Sequence, residues 1–198
     1  MNFNQLPNEI KEASIGLIAA GIFLLANWLK SIKFSFLEIK TKNAIFSAAE
    51  IYDILNEVST ELNASRVLIK KSHNGSGLPE SAKELKVSIL YEHVSDNSTK
   101  PIREDFQNVP ADKAFVHTLR DVINSHWEGE PSALEEGFLK DSCKIGGVKY
   151  LHKVPIGQVS NGFFLLTVRW HKLEDVPDIS KRREVLRIAA QKIREKLR

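Results

Sequence analysis

YLHKVPIGQVSNGFFLLTV, residues 150–168, reads as two strands with a turn between them. The runs Val148–Ile156 (VKYLHKVPI) and Gly162–Trp170 (GFFLLTVRW) are rich in β-branched and aromatic residues. Gly157 to Asn161 joins them, and Asn161-Gly162 is a strong turn signal. A joint this short leaves no room for a crossover, so the strands pair antiparallel.

Downstream, Asp178 or Ser180 can cap a closing helix. Its apolar stripe is Val185, Leu186, Ala189, Ala190, Ile193 and Leu197. Upstream, residues 127–147 read as irregular, with room for one short strand. Ala111 to Ser125 is a helix with Phe115, Leu119, Val122 and Ile123 on one face. Lys86 to Val94 is a strand with Val87, Ile89, Tyr91 and His93 on one side, and Ser65 to Lys71 is another. The breaker-rich loop from His73 to Gly77 closes that strand. A helix over residues 44–62 precedes it, with Ile45, Ala48, Tyr52, Leu55, Val58 and Leu62 as its stripe. The order predicts an α+β fold, an antiparallel sheet flanked by helices.

Near the amino end, Ala13 to Leu29 (ASIGLIAAGIFLLANWL) carries no charge. At about 1.5 Å per helical residue it just crosses a hydrocarbon core of roughly 30 Å. Trp28 suits an interface, and Lys30, Lys33, Lys40 and Lys42 outnumber the single Lys11 of the leader. The expectation is one transmembrane helix in an inner or plasma membrane, single-pass, with the carboxyl-terminal domain cytoplasmic. On this reading residues 1–33 are leader and anchor, 34–43 a juxtamembrane linker, and 44–198 the domain. A single cysteine, Cys143, excludes an internal disulfide and fits a reducing compartment. The Asn-x-Ser/Thr triplets at Asn63, Asn74 and Asn97 carry no meaning there.

The chain has 28 Lys and Arg against 25 Asp and Glu, and the excess sits at the end. From Asp178 onward eight basic residues face three acidic ones. Lys181, Arg182, Arg183, Arg187, Lys192 and Arg194 are therefore candidates for contact with an anionic membrane surface. Nucleic acid is disfavoured, because that helix has no interleaved aromatics for stacking. The six histidines show no H-x₃-H or H-E-x-x-H spacing, so no metal is expected. No G-x-S-x-G, P-loop or dinucleotide loop occurs, so no catalytic residue and no cofactor is expected.

The element order, the phrase YLHKVPIGQVSNGFFLLTV and the closing amphipathic helix resemble the GAF domain over residues 44–198, within the wider GAF/PAS superfamily. That resemblance implies a central antiparallel sheet whose first and last helices pack together, commonly making a homodimer. It implies a small-molecule ligand held between sheet and loops, with signalling through the terminal helices. The cyclic-nucleotide signature NKFDE is absent, and methionine-sulfoxide-reducing members need several cysteines. Cys143 reads as a plain buried or surface thiol rather than a bilin attachment. His73, Asn74 and Gly75, at a strand end, are the candidate ligand contacts, with Tyr91, His93 and His152 on the sheet beside them. The expected function is a non-catalytic, membrane-anchored regulatory sensor. The alternative is a structural or protein-interaction protein at a bacterial or viral membrane, without a small-molecule ligand.

Overall fold

From Ile22 to Glu61 the chain holds neither Gly nor Pro, so nothing interrupts a helix once it starts. In the computed structural model that stretch belongs to α1, Asn8–Glu61, of 54 residues. The structure describes residues 8–74, 85–95, 100–159 and 162–198, and their side chains except at 8–20 and 31–39. Residues 34–43, expected as a linker, are helical within α1. The chain divides into two units, Met1–Phe46 and Ser47–Arg198.

In the first unit, Ile22, Phe23, Leu24, Leu25, Trp28 and Leu29 are all exposed, by 54–68%. Among the described residues no helix is long and apolar enough to cross a membrane. The anchor expected over Ala13–Leu29 is not found in the structure. The side chains of 13–20, nearly half of that run, lie outside the described residues.

The second unit is built on a six-stranded sheet. Its strands are β1 (Arg66–His73), β2 (Lys86–Val94), β3 (Val109–Pro110), β4 (Trp127–Gly129), β5 (Tyr150–Val159) and β6 (Gly162–Trp170). The order is β3-β2-β1-β6-β5-β4, and every pairing is antiparallel. The expected hairpin is β5–β6, paired from Tyr150↔Trp170 to Val159↔Gly162. Asn161 lies outside the described residues.

Helices cover both faces. Ile51, Leu55, Val58 and Leu62 at the end of α1 pack with Val185, Leu186 and Ile193 of α4 (Ile179–Lys196) on Val67, Ile69, Leu166 and Val168. Trp170 closes that core, its indole N–H donating to Leu62 O at 3.0 Å. The stripe of α1 is thus rotated from the expected one. Ile45 and Tyr52 are exposed, and Tyr52 stacks edge-on against Tyr91 at 5.4 Å.

On the other face, Phe115, Leu119 and Val122 of α2 (Lys113–Asn124) pack with Leu139 and Cys143 of α3 (Phe138–Ile145) on Val87, Leu151 and Leu165. Ile123, expected on the buried face of α2, is exposed. Helix α3 is a correction to the irregular segment expected there. Asp112 fixes both helices: one carboxylate oxygen accepts from Phe115 N and the other from Phe138 N, each at 2.8 Å.

Two bulges break the simple alternation. Ile69↔Tyr91 is followed by Lys70↔Ile89, leaving Leu90 extra, and Pro155↔Leu165 by Gly157↔Phe164, leaving Ile156 extra. Val87 and Ile89 therefore face α2, while Tyr91 and His93 face the α1–α4 layer; the expected common side does not exist.

Candidate functional site

The residues expected to form a ligand site do not converge. His93 and His152 lie in one row across the sheet, His93–Val67–Val168–His152. Three strand spacings of about 4.8 Å separate them. His73 sits at the opposite end of β1, its Nε2 2.9 Å from Ser88 Oγ. Burial pushes the His73 imidazole pKa down, with Lys71 and Lys86 adding to the effect. Burial also lowers His93. Asn74 is half-buried just after β1, and Gly75 lies outside the described residues.

The unexpected feature is on the α2–α3 face. In strand register, Arg66 stands beside Arg169, Thr167 between Leu68 and Lys153, and Lys70 beside Leu165. Arg66, Lys70, Lys153 and Arg169 are each at most 3% exposed. One carboxylate answers them: Glu92 pairs with Arg66 at 3.3 Å, and Arg66 also donates to Lys100 O. Glu92 further accepts from the backbone N–H groups of Ile102 and Arg103. Among the described residues Arg169 has no hydrogen-bond partner for Nε, Nη1 or Nη2, nor does Lys153 Nζ or Thr167 Oγ1. Lys153 Nζ rests on the face of Trp127, 5.1 Å from the ring centroid.

Uncompensated buried charge costs several kcal/mol per ion. A lysine escapes by releasing its proton. Burial first, then Arg169, takes Lys70 down to about 7, and burial with Lys70 lowers Lys153 well below its usual range. Arginine keeps its charge, so Arg169 bears the cost whole. Because Lys70 titrates lower folded than unfolded, the unfolded chain binds more protons between about pH 7 and its ordinary 10.5. Stability therefore rises with pH through that window and falls as pH drops towards 7. Urea titrations at pH 7 and 9 should show the gain, on the order of a few kcal/mol, and Lys70→Met should reduce it.

A second cluster lies on the opposite face. Arg182 of α4, expected at a membrane surface, is buried: it donates to Glu128 Oε2 at 2.6 Å and to Pro177 O, and stacks on Tyr150. Arg183 reaches Glu128 Oε1 at 3.1 Å and His126 Nε2 at 2.9 Å. Lys192 pairs with Glu57 and Lys196 with Glu50 of α1. Burial alone would raise the Glu128 carboxyl, but the hydrogen bond from Arg182 and nearby positive charge hold it below its usual range. His152 is fully buried, and burial takes it down to about 4 against the pull of Glu128.

His126, Glu128 and His152 bring one ligand atom each within 4.8 Å, a spacing a metal ion could use. The charges argue otherwise. Both carboxylate oxygens already accept from guanidinium groups, and a divalent cation would sit beside two fixed positive charges.

Among the buried cations, Lys70, Lys153 and Arg169 passed unnoticed in sequence because each alternates with apolar neighbours, as a solvent-facing residue would. The signal is that every strand carrying one belongs to a sheet covered on both faces.

No protein-family model matches the chain, and no curated protein matches it. Solved structures do. The GAF3 domain of Slr1393 from Synechocystis sp. PCC6803, in its photoproduct state, is 14% identical with a TM-score of 0.54, over 74% of this chain and 90% of that one. The phycoerythrobilin-bound GAF domain of a cyanobacterial phytochrome is 14% identical with a TM-score of 0.54, over 78% and 91%. The cyanobacteriochrome receptor PixJ is 11% identical with a TM-score of 0.56, over 79% and 98%. At such identities the likeness speaks for architecture alone, and that architecture is GAF-like.

Proposed function

We propose that this chain is a non-catalytic sensory module that holds a small anionic molecule on the α2–α3 face of its sheet. Arg169 would supply the fixed charge, Lys153 and Lys70 would take up protons as the anion binds, and Thr167 would offer a hydroxyl. The observation that carries the reading is the Arg169 guanidinium, buried with no hydrogen-bond acceptor among the described residues. An anion would turn several unmade hydrogen bonds into charge-assisted ones. The GAF-like fold agrees, and one similar structure is a phycoerythrobilin-bound GAF domain. A bilin fits this chain poorly, since its one cysteine, Cys143, is fully buried in the α2–α3 core.

The membrane location is part of the same proposal. What supports it is the uncharged run Ala13–Leu29, the exposed apolar side chains from Ile22 to Leu29, and the cations that follow. A lipid bilayer would cover that surface, leaving the sensory unit on the cytoplasmic side. Occupancy would be passed on through α1 and α4, which Lys192–Glu57 and Lys196–Glu50 tie together, and through a second copy paired along them.

Native mass spectrometry of the full chain, purified in detergent, tests the ligand. The expected result is a retained anionic molecule, or a thermal shift of several degrees with phosphate, citrate or GMP, that Lys153→Met abolishes. A ligand-free mass with no thermal response to any of the three refutes the reading.

A further inference from the structure

Beyond the end of β4 pairing at Lys153, β5 continues past Val154 with no outer neighbour, and α4 runs alongside it. Between them lies a cavity of about 680 Å³, lined by Arg183, Arg187 and Arg194 of α4, by Arg198 just after it, and by His126 and His152. It lies on the α4 side of β5, away from Lys153 and Arg169. Arg183, Arg187 and Arg194 recur at spacings that keep them on one side of the helix.

Their charge is poorly matched. Glu195 is the one carboxylate in the lining. Arg183 is committed to Glu128 and His126, while Arg187, Arg194 and Arg198 make no ion pair among the described residues. The contrast with the rest of α4 is informative, since Arg182, Lys192 and Lys196 each have a carboxylate. Arg194 lies over Gly157, its guanidinium carbon 3.6 Å from where a Cβ would stand, an ordinary contact distance.

The second observation comes from inside the cavity wall. His152 is fully buried, and neither Nδ1 nor Nε2 has a hydrogen-bond partner among the described residues. Whichever tautomer is present, one N–H is left without an acceptor. A buried donor with nothing to donate to, beside several free guanidinium forks, calls for a ligand rich in acceptor oxygens and negative charge.

We infer that this cavity binds a phosphate group or diphosphate, gripped by Arg187 and Arg194 and reached by the His152 ring. Arginine forks match phosphate oxygens in pairs, and the low exposure of His152 gives its N–H a contact that water does not contest. The phosphate can belong to a soluble metabolite or to a lipid headgroup at a membrane surface.

Calorimetric titration of the full chain in detergent with inorganic pyrophosphate tests the inference. Arg187→Gln with Arg194→Gln, both exposed positions, should weaken binding at least tenfold, a difference of about 1.4 kcal/mol. Lys181→Gln, an exposed position of α4 outside the cavity lining, should leave it unchanged. If the natural source is a lipid, the wild-type chain should prefer phosphatidylcholine vesicles containing phosphatidylinositol 4-phosphate over phosphatidylcholine alone, and the double variant should lose that preference. Pyrophosphate affinity and vesicle preference that are both the same in the double variant overturn the inference. So does a pyrophosphate site that vanishes with Lys153→Met but survives the arginine changes.

Discussion

Arg169→Met should make the ligand-free chain more stable, not less. The guanidinium is 1% exposed, its three nitrogens lack hydrogen-bond partners, and its register neighbour Arg66 carries the same charge. Methionine fills a similar channel without desolvating an ion, and its flexible thioether adapts to the space. Exchanging buried charge for apolar volume gains about 1–4 kcal/mol in comparable cases. For a chain of this size each kcal/mol is worth about 2–4 °C in melting temperature. Calorimetry of wild type and variant would read the rise directly. The same substitution should erase any stabilisation by an anionic ligand. A variant that melts lower than wild type means that Arg169 has an internal partner, and the proposed site loses its central argument.

Glu128→Ala should do the opposite on a similar scale. Glu128 is a nearly buried carboxylate that receives Arg182 at 2.6 Å and Arg183 at 3.1 Å, with His152 Nδ1 at 3.7 Å. Removing it strands the Arg182 guanidinium, whose side chain is 8% exposed. Breaking one side of a buried pair costs about 3–5 kcal/mol, because the remaining ion keeps its desolvation penalty. Urea unfolding would show the loss. Adding Arg182→Met to Glu128→Ala should restore most of it, since the charge left behind is then gone. If the double variant stays as unstable as the single one, the damage comes from β4 itself and the ionic account fails.

Much of the architecture is written in apolar spacing. The β5–β6 hairpin, the first two strands, and helices α2 and α4 all stand where alternation and three-to-four periodicity place them. Helix α3 was not legible because Leu139 and Cys143 are its only buried residues, and Lys140, Asp141 and Lys144 surround them. The bulges at Leu90 and Ile156 leave no mark in composition, yet each reverses which side of the sheet the following residues face. Strand β3 is two residues long, too short for any pattern.

The candidate sites were hidden for a different reason. In RVLIKK, LHKVPI and LLTVRW a cation interrupts an apolar run, which ordinarily marks a wet face. Only the cover supplied by α2 and α3 turns Lys70, Lys153 and Arg169 into buried charges. Likewise Arg182 and Arg187 look equivalent in sequence, although one faces Glu128 and the other lines the α4 cavity.

The contact between Lys153 and Trp127 has an optical consequence. The three indoles stand in separate surroundings: Trp28 on the exposed apolar stretch, Trp170 in the α1–α4 core, and Trp127 beneath the amino group of Lys153. Excited-state emission is sensitive to a charge over the ring, and an anion bound here would favour the protonated form of Lys153 and so set one there. The fold thus carries a built-in fluorophore beside its buried cations, while its two sister chromophores serve as references.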